Sequence, residues 1–516
     1  MSSTEVAKII SYENAPAFFE NLRAKGHKIV QCHGTFDLLH SGHICHLREA
    51  KKLGDILVVT ITGEGHVSKG PGRPYLTELV RAESLAELSC VDYVISIPFP
   101  GAVEAIECVR PSYYCKGTEY EDTSVDVTGN IHDDLATVEK HKGQVKYVGT
   151  HVFSSTKLLN NHFDVHDPQT KAFCKEIASR YSIEDFKQAV SDLAGVRVLV
   201  IGDIIFDKYS YLKVQGLTSK NQILSGRFIN EDLQAGGALA VYRHVKAFSD
   251  NVELVSLVGD EPWVDNELKQ YVAQADDCVI REPGYTTIVK QRFIEQGDYA
   301  GKEMTKLFAV NYIHDTQPSD AVLERVQQKI KAKLAEVDMV LLIDFGHGLL
   351  SDSLREMIQK EAPYLALNCQ TNSNNFGFNI INKRYHRADA FSLDHQEMLL
   401  AEGKRDLDYE QSLKNLAHYF GSHYGWLTRG GVKTIGVQGG TKVAECPPLE
   451  RNVIDTVGAG DAFCSVAFLS AYKKHPIDLS TFIGQLAGAQ AVRIVGNTQA
   501  VSKINLLKSG VALLNF

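Results

Sequence analysis

The residues equipped for chemistry fall in two short strings, and both suit phosphate. The first is Gly34-Thr35-Phe36-Asp37-Leu38-Leu39-His40-Ser41-Gly42-His43. It follows the apolar run Lys28–Cys32, which reads as a first strand, and leads into Ile44–Leu53, which reads as a helix. A strand, a glycine turn and a helix start leave backbone N–H groups free, and the helix dipole favours an anion there. His40 and His43 fall on one side of the opening turn, with Gly42 between them to let a phosphate approach. Two imidazoles so placed suit a reaction that builds negative charge on an α-phosphate. The second string is Asp455-Thr456-Val457-Gly458-Ala459-Gly460-Asp461-Ala462-Phe463. Small residues at 458–460, just before the apolar run Ala462–Leu469, predict a nest of N–H groups at a helix start. Such a nest stabilises a phosphoryl group in flight. Asp461 at that start can take the proton of an attacking hydroxyl.

Bulk properties restrict the setting. A chain of 516 residues exceeds one ordinary core, so two or three domains are expected. With 44% hydrophobic and 23% charged residues, the composition is that of a soluble globular protein. The net charge of −9 argues against nucleic-acid binding and offers no polybasic membrane patch. No apolar run reaches the roughly 18 residues of a membrane span, and the N-terminal stretch has no apolar signal core. The ten cysteines are scattered singly without a CxxC pair, as expected of buried thiols in a cytoplasmic protein. Cys45 beside His43 and His46 suggests a metal site, but no second ligand cluster follows.

Alternating elements must hold the first string. Asp55–Thr62 reads as a buried parallel strand, Leu76–Leu88 as a helix carrying Arg81, and Asp92–Ile97 as a strand. Between them, the Gly/Pro-rich stretch Ser68–Pro74 forms a loop in which Lys69 and Arg73 are placed to clamp phosphates. Ser112–Cys115 is a further strand, ending in Lys116-Gly117. Gln144–Val148 leads to the hydroxyl-rich helix start Ser154-Ser155-Thr156, where capping and phosphate binding coincide. The pattern is one parallel sheet with its loops gathered at one edge. The segment from Asn161 to about Ala194 is polar and breaks the rhythm, giving a linker and a helix over Ile183–Leu193.

The first region resembles the cytidylyltransferase-like nucleotidyltransferases, whose HxGH motif is met here by His40-Ser41-Gly42-His43. KGPGRP, the Arg81 helix, VDYV, Lys116-Gly117 and Ser154–Thr156 recur in order in the adenylyltransferase half of bifunctional heptose kinase/adenylyltransferases. The resemblance implies a Rossmann-like fold, with His40 and His43 stabilising the transition state and Lys69 and Arg81 on phosphates. It also implies that Gly34–Asp37, Gly42, Lys116 and Ser154–Thr156 line the nucleotide site. The related cytidylyltransferases carry an Arg-Thr-Glu-Gly stretch where this chain reads Gly149-Thr150-His151-Val152, which favours ATP over CTP.

The second region restarts the rhythm. Arg197–Asp203 reads as a buried strand ending in Gly-Asp, and Asp207 either faces ligand hydroxyls or caps the next turn. Gly236 and Gly237 open an apolar helix where backbone can approach a substrate. Thr286–Glu295 and Lys306–Tyr312 read as strands of a small lid sheet, and Met339–Asp344 as a buried strand before the turn Gly346-His347-Gly348. The string at 455–463 is similar to the DTxGAGD signature of ribokinase-like (PfkB) sugar kinases. That resemblance runs from Val196 to the C-terminus. It implies sugar contacts at Asp203, Asp207, Gly236, Gly237 and Asp461. Glu397, within Asp394-His395-Gln396-Glu397, is implied in magnesium and water positioning, and Thr428 and Gly430 line the nucleotide side with Gly458, Ala459 and Gly460. Three segments depart from the family: Asp394 replaces an Asn, Ala240 stands where heptose kinases carry an Asn, and Asn368–Asn372 replaces the usual Asp-Pro pair.

The expected architecture is therefore α/β throughout. A Rossmann-like nucleotidyltransferase domain occupies 1–162, a linker and connecting helix 163–194, and a ribokinase-like domain with a small β lid 195–516. Together they imply a cytoplasmic bifunctional enzyme, a homodimer as many ribokinase-like enzymes are, acting on small molecules and not on nucleic acid or membrane. One domain phosphorylates a sugar or sugar phosphate, heptose-type first. The other transfers a nucleotidyl group from ATP or CTP to a sugar 1-phosphate. Magnesium serves both. The alternative is a nucleotidyltransferase whose kinase-like domain senses nucleotide.

Overall fold

The computed structural model describes residues 8–67, 69–118, 121, 130–149, 155–163, 165–272, 279–295, 304–314 and 316–515. The chain divides into one unit of Met1–Lys171 with Leu507–Phe516, and another of Ala172–Leu506.

In the first unit six strands form one sheet: β1 (Ile9–Ile10), β2 (Ile29–Gly34), β3 (Ile56–Thr62), β4 (Tyr93–Ile97), β5 (Tyr113–Gly117) and β6 (Gln144–Val148). Their order is β1-β4-β3-β2-β5-β6, and every pairing is parallel. The β-branched run of β3 is buried at all positions, as a strand covered on both faces requires. The strand order turns back between β2 and β5. A crevice opens at the carboxyl ends of strands at such a switch point, so the GTFDLLHSGH loop after β2 emerges where a ligand binds. The run expected as the first strand is thus the second, preceded by a two-residue strand at Ile9–Ile10 and extended to Gly34. Lys116 and Gly117 lie inside β5 and not after it.

The polar join is more ordered than its composition suggests. Helix Pro168–Arg180 precedes helix Ile183–Ser191, whose start is fixed by a reciprocal capping box between Ser182 and Asp185.

The second unit holds β7 (Val198–Gly202), β8 (Ile204–Leu217), β9 (Leu224–Gly236), β10 (Val252–Val258), β11 (Val279–Arg281), β12 (Ile288–Glu295), β13 (Thr305–Tyr312) and β14 (Met339–Asp344). Five more follow: β15 (Leu365–Cys369), β16 (Ala390–Asp394), β17 (Tyr424–Thr428), β18 (Thr434–Gln438) and β19 (Lys442–Cys446). Nine of these form a sheet in the order β11-β10-β7-β14-β15-β16-β17-β18-β19, parallel as far as β17 and antiparallel beyond. A second sheet, β13-β12-β8-β9, is the lid. The sequence reading supplied only its β12 and β13. The hairpin of β8 and β9 escaped it because residues from Lys213 to Glu231 are mostly exposed on both faces, so no apolar alternation marks them. Asp207 sits within β8, which removes the turn-cap alternative. The described cysteines are all free thiols, and no described helix is long and apolar enough to cross a membrane.

Candidate active sites

In the first unit, His40 is the N-cap of helix Ser41–Lys51, with extended backbone, and His43 lies in the first turn. Their rings stack with centroids 3.9 Å apart, and Phe36 meets His43 edge-on at 5.2 Å. Phe36 adopts a left-handed φ of 48°, and its ring lies against Gly34, where a Cβ would come within 3.2 Å. The glycine at the strand end thus seats the aromatic that backs His43. Burial lowers the pKa of both imidazoles, that of His43 to about 3, helped by His40, Lys69 and His46. Both are therefore neutral near pH 7, able to donate an N–H to a developing oxyanion without carrying charge beforehand.

The cations expected beside them divide into two roles. Lys69 is exposed, yet it stands where protein crowds out water, and this with Arg73 and Lys508 lowers its pKa. Lys116 pairs with Asp134 at 2.8 Å. Burial, then Lys116 and Lys69, bring His33 of β2 to about 3, so these two cations converge on the end of that strand. Arg81 and Arg73 turn inward instead. Arg81 is 1% exposed and donates to the carbonyls of Thr35, Thr62 and Leu76. Arg73 forms a buried ion pair with Asp37 at 2.9 Å, and Asp37 also accepts the amides of Tyr75 and Leu76. Arg81 and Asp37, expected at the nucleotide, and Arg73, expected at phosphates, thus brace the loops around them, while the Nη2 of each arginine is buried without a hydrogen-bond partner. Breaking a buried pair leaves an uncompensated charge at about 3–5 kcal/mol. Arg73→Met is accordingly expected to lower the urea midpoint sharply, a loss that melts followed at several urea concentrations will measure.

Thr156 lies in the first turn of helix Ser155–His162, which Ser155 opens; Ser154 lies outside the described residues. The Gly149 amide donates to Glu49 at 2.7 Å.

In the second unit, helix Ala459–Tyr472 starts at Gly458, whose φ is +80°. A Cβ there would lie 2.2 Å from the Asn497 amide oxygen, so only glycine fits. Gly458, Gly460 and Asp461 line a cavity of about 200 Å³ together with Gln370, Glu397 and Thr428. Gln370 donates to Asp461 at 2.7 Å, and burial raises the Asp461 carboxyl to about 6. Glu397 closes a capping box with Asp394 and also accepts the Thr371 amide. Burial and the neighbouring Asp394 raise it to about 8. An adjoining cavity of about 460 Å³ has Thr428, Gly430 and Ala459 on its wall, with apolar Leu449, Val453 and Phe463 suited to a base. Asp455 anchors the string from behind, accepting from Tyr209, Lys306 and the Gly496 amide.

The residues expected on the sugar side are themselves closely interlocked. Asp207 is paired with Arg292 and accepts from Asn497. A Cβ on Gly236 would lie 2.3 Å from the Asp207 carboxylate, and one on Gly237 2.5 Å from the Asp203 carbonyl. The two glycines thus admit Asp207 and the Asp203 backbone to close approach. Asp203 accepts the His347 amide, and burial beside Asp344 raises it to about 7. Lys290 went unnoticed in the sequence. Burial lowers its pKa against the pull of Asp207, Asp203 and Asp461, which places it among the carboxylates. The signal was present: Lys290 and Arg292 alternate within β12 and so point to one face. Among the described residues no group of three or more His, Cys, Asp or Glu side chains is placed to hold a metal.

Residues 32–229 match the cytidylyltransferase-like family model. The curated relatives include a bifunctional protein HldE from Syntrophotalea carbinolica, 36% identical over 144 residues, 28% of each chain. Another HldE, from Helicobacter pylori strain G27, is 43% identical over 103 residues, 20% of this chain and 22% of that one. The match thus spans little more than a quarter of the first relatives' length. Among solved structures, phosphofructokinase-2 from Escherichia coli aligns with a TM-score of 0.48 and 12% identity, over 62% of this chain and 99% of that one. Ribokinase from Thermotoga maritima gives 0.44 and 14%, over 60% and 99%.

Proposed function

We propose that the chain is a bifunctional enzyme that makes a nucleotide-activated sugar. The second unit transfers the γ-phosphoryl group of ATP to a sugar or sugar phosphate. Asp461 accepts the hydroxyl proton as the sugar oxygen bonds to phosphorus, and ADP leaves. The first unit then lets a sugar 1-phosphate oxygen attack the α-phosphorus of ATP or CTP, releasing pyrophosphate, with His40 and His43 donating to the oxygen that gains charge. The observation that carries this reading is that each unit brings together its own phosphate-handling group: stacked histidines at one helix start, and an aspartate in a glycine nest at the other.

The resemblance to heptose kinase/adenylyltransferases makes a heptose phosphate the first substrate to try and surface glycan assembly the use of its product. ATP is favoured for the nucleotidyl step, since the cytidylyltransferase arginine is absent near Gly149. Magnesium fits beside Glu397, where a buried carboxyl with Asp394 and Asp461 nearby gains by a cation's approach. It would be held there mainly by water and substrate phosphates, and it supplies charge neutralisation. A cytoplasmic homodimer is the expected form, with the exposed Phe228, Ile229, Phe308 and Val310 of the lid offering a surface for a second copy.

Incubation with ATP or CTP, pyrophosphatase and a panel of sugar phosphates, followed by mass analysis, tests the reading. A nucleoside diphosphate sugar is expected. Nucleotidyl transfer with no Asp461-dependent ATP consumption on any sugar would instead make the second unit a nucleotide sensor.

A further inference from the structure

The chain leaves the first unit at Lys171 and returns to it for its last ten residues, 507–516. That return is seated tightly. Leu513 and Leu514, near the end of helix Lys503–Leu514, are buried. Asn160, 2% exposed, donates from one amide nitrogen to the carbonyls of Ala512 at 2.8 Å and Asn515 at 3.0 Å. The same segment packs on the loop between Lys69 and Arg73. A Cβ on Gly70 would lie 3.2 Å from the Ser509 Cα and 3.6 Å from the Ala512 Cβ. Gly70 has a φ of +97°, so both its backbone and its lack of a side chain are used to admit the segment.

The contact reaches the nucleotidyl site because of what adjoins it. Lys69 is next to Gly70, and Lys508 is next to Ser509, so the docking brings the two lysines into one neighbourhood. Burial first, then Arg73, and last Lys508 lower the Lys69 pKa, against the pull of Asp37. Two ammonium groups gathered at a loop near paired histidines gain most when a polyanion lies between them. The loop itself is held at its far end by the buried Arg73–Asp37 pair, and at its near end by this segment.

We propose that the C-terminal segment is a working part of the nucleotidyl-transfer site: it fixes the Lys69–Arg73 loop and supplies Lys508 as a further cation toward the polyphosphate of the nucleotide. Lys508 is a positioning and charge-complementing residue here, and the proposal rests on the first unit being a nucleotidyltransferase site.

Calorimetric titration with magnesium pyrophosphate tests it without turnover, reading the binding that Lys69→Gln weakens. Lys508→Gln is expected to weaken that binding by about 3–10-fold and Lys508→Arg to restore it to within about twofold, the scale of one partly screened charge. A chain ending at Leu506 should lose at least about tenfold, while ADP formation by the second unit stays within about twofold. If the shortened chain does not fold, the Lys508 pair decides alone. A full chain that binds no pyrophosphate, or Lys508→Gln binding it as tightly as the unaltered protein, overturns the proposal. Pyrophosphate bound through Lys508 by a chain that transfers a nucleotidyl group to no sugar 1-phosphate would refute the sugar acceptor of the proposed function and leave the part played by the C-terminal segment standing.

Discussion

His43→Ala will stop nucleotidyl transfer, lowering the rate of pyrophosphate release by about 10²–10³-fold, the cost of losing one preorganised donor to a developing oxyanion. The loss should appear in kcat, because a neutral imidazole gains little from a ground-state phosphate and most from the charge of the transition state. ADP formation should continue unchanged, since Asp461 and its nest lie in the other unit. His40→Ala should cost less in rate but also disturb His43, whose ring it stacks on at 3.9 Å. Parallel assays of pyrophosphate and ADP on the purified variants check both statements. A folded His43→Ala protein that loses both activities would exclude two independent sites.

The histidine pair was legible because local chain geometry fixes it: a strand end, a glycine turn and a helix start lie within ten consecutive residues. The same holds for Gly458–Asp461, where the left-handed N-cap can only be glycine. Charged residues in the connecting loops were read less well. Arg81 and Arg73 have the chemistry of phosphate ligands, but whether a guanidinium faces solvent or three backbone carbonyls depends on packing with elements distant in sequence. Gly236 and Gly237 illustrate the same limit, for glycine signals a close approach without naming what approaches; here it is Asp207 and Asp203. Lys290 lies in the lid, where β12 pairs with β8 far earlier in the chain, while the local hairpin of β8 and β9 lacks the apolar alternation that would mark it. The return of residues 507–516 to the first unit has no sequence signature at all, since a short amphipathic helix does not say where it docks.

Asp461→Asn is the second large effect: sugar phosphorylation should fall by about 10²–10⁴-fold, the usual contribution of a positioned proton acceptor, while pyrophosphate release continues. The amide keeps the shape of the carboxyl and can still meet Gln370, so the fold should be undisturbed. The pH profile gives an independent reading of the same group. Burial holds the Asp461 carboxyl at about 6, above the ordinary aspartate range, and only its ionised form can accept the sugar proton. Kinase activity should therefore rise with pH through about 6 and level off above it. Gln370 opposes that upward shift by donating to the carboxylate. Gln370→Leu removes the donor, favours the protonated acid, and should move the rising limb to higher pH while the plateau is approached at a reduced rate. This hydrogen bond comes from the Asn368–Asn372 segment, so it ties the Asp461 carboxyl to the end of β15. A profile of ADP formation against pH that shifts in Gln370→Leu and vanishes in Asp461→Asn would identify Asp461 as the base. A limb that stays in place after loss of Gln370 would assign it to another group, with Glu397, buried and held at about 8, the next to examine by Glu397→Gln.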